Sequence, residues 1–176
     1  MSSKKLFPLV LSAMFLALAL VLPFLTGQIP QIGRALCPMH FPALLCGFFC
    51  GSLWGCAVGF IAPLLRFVLL NTLSNPLAGI AMCFEMAAYG FAAGWLYRRL
   101  PKTTPAIYGS LLGAMLLGRL VWGCVSVILY GLSGSAFGWT AFLSGAVLNA
   151  IPGIVAQIVL IPPIVLALKR YTVKKE

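Results

Sequence analysis

The chain has 176 residues, of which 62% are hydrophobic and 8% are charged, and its mean hydropathy is +1.07. A soluble domain of this size could not cover so much apolar surface with polar side chains, so we expect an integral membrane protein. The net charge of +10 is typical of the basic residues that membrane proteins keep on their cytoplasmic side, and it does not indicate nucleic-acid binding.

Apolar runs separated by short polar connections predict an all-α bundle of about six transmembrane helices in a single membrane domain covering residues 1–176. The first run follows two lysines but is too long for a signal peptide and lacks a clear cleavage site, so we interpret it as a membrane helix. The predicted helices cover approximately residues 6–25, 39–50, 54–70, 77–97, 107–130 and 139–168.

Two of these helices are irregular. The second is short for a span, because glycines and a serine predict a tight turn at residues 51–55, and short helices at membrane depth usually line a cavity. The sixth is interrupted by Pro152, Pro162 and Pro163.

Basic residues predict the orientation of the bundle. Among the predicted outer loops only Arg34 is basic, so the positive-inside rule places both termini in the cytoplasm. The basic residues on the predicted inner side are Lys4, Lys5, Arg98, Arg99, Lys102, Lys169, Arg170, Lys174 and Lys175.

Several classes of function lack support in the sequence. No GxxxxGK[ST] phosphate loop occurs, so any energy must come from an ion gradient or a partner protein. None of the six cysteines forms a CxxC pair, and His40 with nearby cysteines is a weak metal site, so we expect neither a metal nor another cofactor. The sole histidine has no carboxylate near it in sequence, which argues against an intramembrane enzyme.

Three ionisable residues fall inside predicted spans: Arg66, Glu85 and Arg119. Each costs several kcal/mol in hydrocarbon unless it is paired, solvated or turned inward, so each is a candidate site residue. Each lies about twelve residues, or roughly 18 Å, from the predicted cytoplasmic end of its helix, so the three can meet in one layer.

Polar and aromatic residues at a similar level extend this layer. Tyr89 and Trp122 lie one turn from Glu85 and Arg119, and Asn149 falls at a similar or slightly more external depth. His40 would line the outer entrance or cap its helix. Together they predict a cavity that opens outward.

The predicted layer holds one positive charge in excess, which a bound carboxylate would offset, since a guanidinium binds a carboxylate bidentately. The structural alternative is that Arg66 pairs with Glu85 while Arg119 reaches backbone carbonyls or the interface. Gln157 and Asn71 are second-rank candidates, because amides often only join helices.

Beyond the six-helix layout, five segments resemble the substrate-binding S components of energy-coupling factor (ECF) vitamin transporters. An AxxxA pattern, weak by itself, is formed by Ala13 and Ala17 in the first helix. The other segments are residues 37–48 (CPMHFPALLCGF), 55–63, 84–90 (FEMAAYG) and 118–123 (GRLVWG).

This resemblance implies a multi-pass protein of a prokaryotic cell membrane that binds a small water-soluble vitamin near the outer face, using helices 4 to 6 and two outer loops. Ala13 and Ala17 would contact a transmembrane coupling protein driven by two cytosolic ATPase subunits, and the S component would topple in the lipid to release its cargo. The pantothenate-type branch fits the PMHFP and GRLVWG segments best. Folate, biotin, niacin, queuosine-precursor and riboflavin types stay open.

The main alternative is a solitary small secondary transporter or channel, in which Arg66, Glu85 and Arg119 would form a polar relay. A membrane-embedded enzyme ranks third. A purely structural scaffold would not explain why three costly charges share one layer.

Overall fold

The computed structural model describes residues 3–25, 37–70, 76–101, 103–134, 138, 144 and 151–172. These residues form the helices α1 (Ser3–Leu25), α2 (His40–Cys50), α3 (Ser52–Leu70), α4 (Pro76–Arg99), α5 (Thr104–Leu132) and α6 (Ile151–Thr172). All except α2 are long and apolar enough to cross a membrane. The prediction of an all-helical membrane protein is confirmed.

The turn between α2 and α3 consists of Gly51 alone. Its φ of 97° lies in the region that favours glycine, and it lets one residue end α2 and begin α3. The Gly51 N–H donates to the Gly47 carbonyl at 3.1 Å, and the Gly51 carbonyl accepts from the Gly55 N–H at 2.9 Å. The predicted turn over residues 51–55 is therefore shortened to one residue.

Arg98 lies beside this turn. Its Nη2 donates to the Cys50 carbonyl at 3.5 Å, which places a cation at the carboxyl end of α2, where the helix dipole is negative. We call this side of the molecule, where Gly51, Arg98 and Thr103 lie, the Gly51 end.

Helix α4 is at the centre of the bundle, since it packs against α2, α3 and α5. Glycines allow this close approach: a Cβ at Gly90 would meet the Gly55 carbonyl, and a Cβ at Gly47 would meet the Gly90 carbonyl. Small residues at helix contacts are the usual way in which helices associate in lipid, where no hydrophobic effect drives them together.

The outer helices complete the bundle. Helix α1 packs on α2 and α3, and α6 packs on α5 and α2. A small polar contact joins α1 to α2, in which the Cys46 thiol donates to Ser12 Oγ at 3.6 Å and the Ser12 hydroxyl donates to the Pro8 carbonyl at 2.6 Å.

Helix α6 continues through Pro162 and Pro163, so the predicted interruption at these two residues is not observed. Pro152 lies in the first turn, where a helix needs no backbone N–H donor. Ile161 and Val165 beside the proline pair are fully buried. Residues 139–150 of the predicted sixth helix, apart from 144, lie outside the described residues.

Replacing Gly90 with alanine should destabilise the bundle, because the new methyl group would press on backbone atoms of Gly55 that cannot rotate away. We expect a loss of roughly 1–3 kcal/mol, the usual cost of overpacking, visible as a lower melting temperature of the detergent-purified protein.

The matched control is Gly131→Ala on α5, where the added methyl group meets nothing within 4 Å. This variant should melt at the same temperature as the parent or slightly higher, since alanine favours helix. Equal melting temperatures for the two variants would contradict the close contact between α3 and α4.

Candidate functional site

The three intramembrane charges lie at one depth. Arg66 lies about four helical turns after Ser52, Glu85 about four turns before Arg99, and Arg119 about four turns after Thr104. Because those helix ends lie together at the Gly51 end, all three charges are about 21 Å from it.

Glu85 and Arg119 form the central contact of the site. Arg119 Nη1 lies 2.7 Å from Glu85 Oε1, and the Arg119 and Glu85 side chains are 16% and 4% exposed. The N–H directions of Arg119 are not aligned with that oxygen, so the contact is an ion pair rather than a directed hydrogen bond. Pairing offsets part of the cost of placing two charges in a low-dielectric interior.

His40 is buried against the same carboxylate. Its Nε2 lies 3.7 Å from Glu85 Oε1, and the imidazole meets the Tyr89 ring edge to face at 4.9 Å. Neither ring nitrogen has a hydrogen-bond partner among the described residues. The expectation that His40 caps its helix is therefore wrong: Met39 occupies the N-cap, without a side-chain cap hydrogen bond, and His40 points at α4.

Tyr89 and Gly118 position Arg119. Tyr89 is 1% exposed, and a Cβ at Gly118 would overlap its ring, so only glycine lets the ring lie against α5 beside the arginine. The Arg119 guanidinium lies close to Tyr89 and to the thiol of Cys37, near enough to interact with both electrostatically. Gly118 thus makes room for the Tyr89 ring beside the adjacent Arg119.

Cys37 is a site residue that sequence reasoning missed. A cysteine near an apolar run is normally a small hydrophobe, and only two local features set this one apart. Its φ of 47° is unusual for a residue other than glycine, and its carbonyl accepts from the His40 N–H at 3.0 Å. The turn thereby brings the thiol to Arg119.

Arg66 is placed apart from the ion pair. Its Nη1 donates to Met39 Sδ at 3.5 Å, and among the described residues the ionic contacts of Glu85 are with Arg119 and His40. The alternative in which Arg66 pairs with Glu85 is therefore wrong. The Arg119–Glu85 ion pair is neutral by itself, so the predicted positive excess, which Arg66 carries, is not part of it.

The remaining predicted residues are Trp122 and Asn149. Trp122 is half-buried on α5, one turn beyond Arg119, and Asn149 lies outside the described residues. The described ranges hold no group of three or more histidine, cysteine, aspartate or glutamate residues that could bind a metal ion.

Gln157, held as a second-rank candidate, belongs to this depth as well. It lies about four helical turns before Thr172, the last residue of α6. Its side chain is buried, and its Oε1 has no partner among the described residues. It shares a helix face with Ile154 and Ile161, which pack into the core cluster that includes Tyr89. Gln157 therefore brings a buried, unpaired amide oxygen to the depth of the ion pair.

Comparison with known proteins gives one match. A family model described as the substrate-specific component of ECF transporters matches residues 7–165. No curated protein and no solved structure matches the chain.

A double-mutant cycle should show that Glu85 and Arg119 stabilise the bundle as a pair. Glu85→Gln or Arg119→Gln alone leaves one buried charge unpaired, and we expect each to lower the free energy of unfolding by about 3 kcal/mol. The double variant removes both charges and should recover part of this loss, with a coupling energy of roughly 0.5–3 kcal/mol.

Unfolding of the detergent-purified variants measures the cycle, with the parent protein as its fourth corner. Single losses that simply add in the double variant would contradict the ion pair.

Proposed function

Because this chain belongs to the ECF transporter substrate-specific component family, we propose that its cargo is a small vitamin with a carboxylate, pantothenate above all, bound at Arg119. Family membership makes the chain a non-catalytic, substrate-binding subunit of a multi-pass membrane transporter. Coupling and ATPase subunits work with it, and ATP hydrolysis is their activity.

The observation that carries the proposal is the unused Nε–H donor of Arg119. Glu85 occupies Nη1, but Nε has no hydrogen-bond partner among the described residues. With 16% of its side chain exposed, Arg119 is more accessible than the buried carboxylate beside it. A guanidinium with a free N–H donor in a low-dielectric site favours an anion, and the planar carboxylate matches its geometry.

Other polar groups of the layer suit the neutral part of such a ligand. The ring nitrogens of His40 and the amide oxygen of Gln157 are buried without partners among the described residues. Pantothenate has hydroxyl and amide groups in addition to its carboxylate, and these could satisfy them. Tyr89 and Trp122 would supply aromatic walls, and Asn149 and Arg66 would contribute further polar contacts.

The other vitamins make different demands on the site. Folate, biotin and niacin also carry carboxylates, whereas riboflavin and queuosine precursors would present carbonyl oxygens to Arg119. The unpaired hydrogen-bonding groups beyond the arginine favour a ligand with several polar groups over niacin. The solitary transporter has less support, because its relay requires Arg66, which contacts Met39 instead of Glu85.

We further propose a single membrane domain over residues 1–176 with both termini in the cytoplasm. In this domain α2 is a membrane helix in addition to the five long ones, which makes six. This orientation puts the Gly51 end, with Arg98 and Arg99, on the inner side, in agreement with the positive-inside rule. With 11 residues, α2 is about 16 Å long, so it crosses only part of the hydrocarbon core. His40 would then begin α2 below the outer surface, at the floor of an outward-facing site, in a prokaryotic plasma membrane.

The proposed contact with the coupling protein lies on α1. Ala13 and Ala17 are exposed, whereas Ser12, Phe15 and Ala19 face the bundle. Two small residues one turn apart form a shallow surface on which a partner helix could pack closely.

Arg119→Ala should reduce pantothenate binding by about 100-fold, because a charge-assisted hydrogen bond contributes up to roughly 3 kcal/mol. Isothermal titration of detergent-purified protein against a vitamin panel, with pantothenate first, measures this loss and identifies the cargo. The matched control is Arg99→Ala at the Gly51 end, where the guanidinium lies over Trp95 at 4.6 Å. It removes the same charge away from the site and should bind normally.

The Glu85→Gln/Arg119→Gln double variant separates binding from folding. It leaves no unpaired charge from the ion pair in the bundle interior, yet it should also fail to bind. Normal binding by Arg119→Ala would overturn the assigned site, and silence across the whole panel would overturn the vitamin proposal.

Ala13→Trp should block transport without affecting binding, because the indole would fill the shallow surface on α1. ATP-dependent uptake by proteoliposomes containing the coupling protein and both ATPase subunits should fall to background. Val155→Trp is the control, since Val155 is 54% exposed on α6 and lies away from the proposed contact. Normal uptake by Ala13→Trp would place the coupling surface elsewhere.

A further inference from the structure

We propose that an anion binding at Arg119 brings one proton with it, held between His40 and Glu85. The site would thus bind a carboxylate and a proton together. This inference rests on the proposed function, since it takes Arg119 as the group that receives the carboxylate.

An anion that binds at Arg119 needs a positive charge to balance it, because Arg119 is already paired with Glu85. In the empty site, Arg119 and Glu85 neutralise each other at 2.7 Å. A ligand carboxylate at Arg119 adds a second negative charge to a site in which the Glu85 side chain is 4% exposed. Uncompensated buried charge is costly, so a positive charge must enter the site with the anion, either a proton or the Arg66 guanidinium.

The composition leaves few groups that could take this proton. The chain has one histidine, His40, and two acidic residues, of which Glu85 is the one that the described residues contain. The fold brings His40 and Glu85, which are distant in sequence, to 3.7 Å between Nε2 and Oε1. Both atoms are buried without a hydrogen-bond partner among the described residues, so a proton placed between them would satisfy both.

The step adds one anion and one proton to the site. The ligand carboxylate binds the free Nε–H of Arg119, and one proton from the buffered solution joins the His40 imidazole and the Glu85 carboxylate as an Nε2–H···Oε1 hydrogen bond. No bond between heavy atoms forms or breaks. The total charge is zero before and after, because one anion and one proton enter together.

The other titratable or charged groups around the pair come from each neighbouring element. Tyr89 lies on α4 itself, Cys37 precedes α2, Arg119 is on α5, and Arg66 on α3 contacts Met39 beside His40. Helix α6 contributes the uncharged amide of Gln157 at this depth, and α1 contributes the Ser12 hydroxyl, which contacts Cys46 on α2. Within this set Arg66 is the competing source of compensation, since its movement toward the ligand would make proton uptake unnecessary.

Isothermal titration in two buffers tests the proposal. Pantothenate is titrated into the full-length, detergent-purified protein near pH 8, once in phosphate and once in Tris, whose ionisation enthalpies differ widely. The difference in apparent binding enthalpy gives the number of protons taken up, and we expect about one. In the same range, the dissociation constant should rise about tenfold for each unit of pH.

Glu85→Gln is the diagnostic variant. It leaves Arg119 as an uncompensated cation in the empty site, so the anion alone restores neutrality. Binding should become tighter, independent of pH, and free of proton uptake. A neutral pantothenamide, which lacks the carboxylate, serves as a second probe on the parent protein, and it should bind weakly with no proton uptake.

The outcomes separate the two claims. Binding of pantothenate without proton uptake would overturn this inference alone and point to Arg66 as the compensating charge. Proton uptake that persists in Glu85→Gln would also overturn it, because the proton would then reside elsewhere. Failure of every carboxylate vitamin to bind would overturn the proposed function and this inference together.

Discussion

The contact between Glu85 and Arg119 is the constraint on which the rest of the bundle depends. Two charges about 21 Å from one end of the helices cannot face lipid without a large cost, so α4 and α5 must be neighbours in matching register. The glycine at position 118 makes this possible, because it lets Tyr89 lie flat against α5 beside the arginine. The packing of α4 against α5 therefore depends on the attraction between Glu85 and Arg119 and on the absence of a side chain at Gly118.

Glycines also explain why the short helix α2 can contribute to the site. Gly47, Gly55 and Gly90 bring α2, α3 and α4 into backbone contact, and the single-residue turn at Gly51 leaves α2 with 11 residues. A helix this short begins inside the bundle, so its first side chain meets groups at mid-depth rather than at the surface. His40 consequently touches Glu85 instead of closing the end of a helix.

The site combines a family role with a local chemistry. Membership of the ECF substrate-specific components explains how such a small protein can serve ATP-driven transport, since partner subunits hydrolyse ATP. The proposed ligand class rests on a different observation, the unpaired donors and acceptors of Arg119, His40 and Gln157. Because the ionic contacts already sum to zero, any anionic cargo must bring or attract a compensating positive charge.

The sequence by itself determined that the protein lies in lipid, where its helices are, and that Arg66, Glu85 and Arg119 share one depth. Hydropathy and a rise of about 1.5 Å per residue are local properties, so they can be read along the chain. Only the tertiary structure decided that Glu85 pairs with Arg119, and that His40 and Cys37 join them. Which residues meet across the bundle depends on how each helix is rotated about its axis. In helices that are apolar on nearly every side, no amphipathic pattern reveals that rotation, and packing through glycines sets it instead.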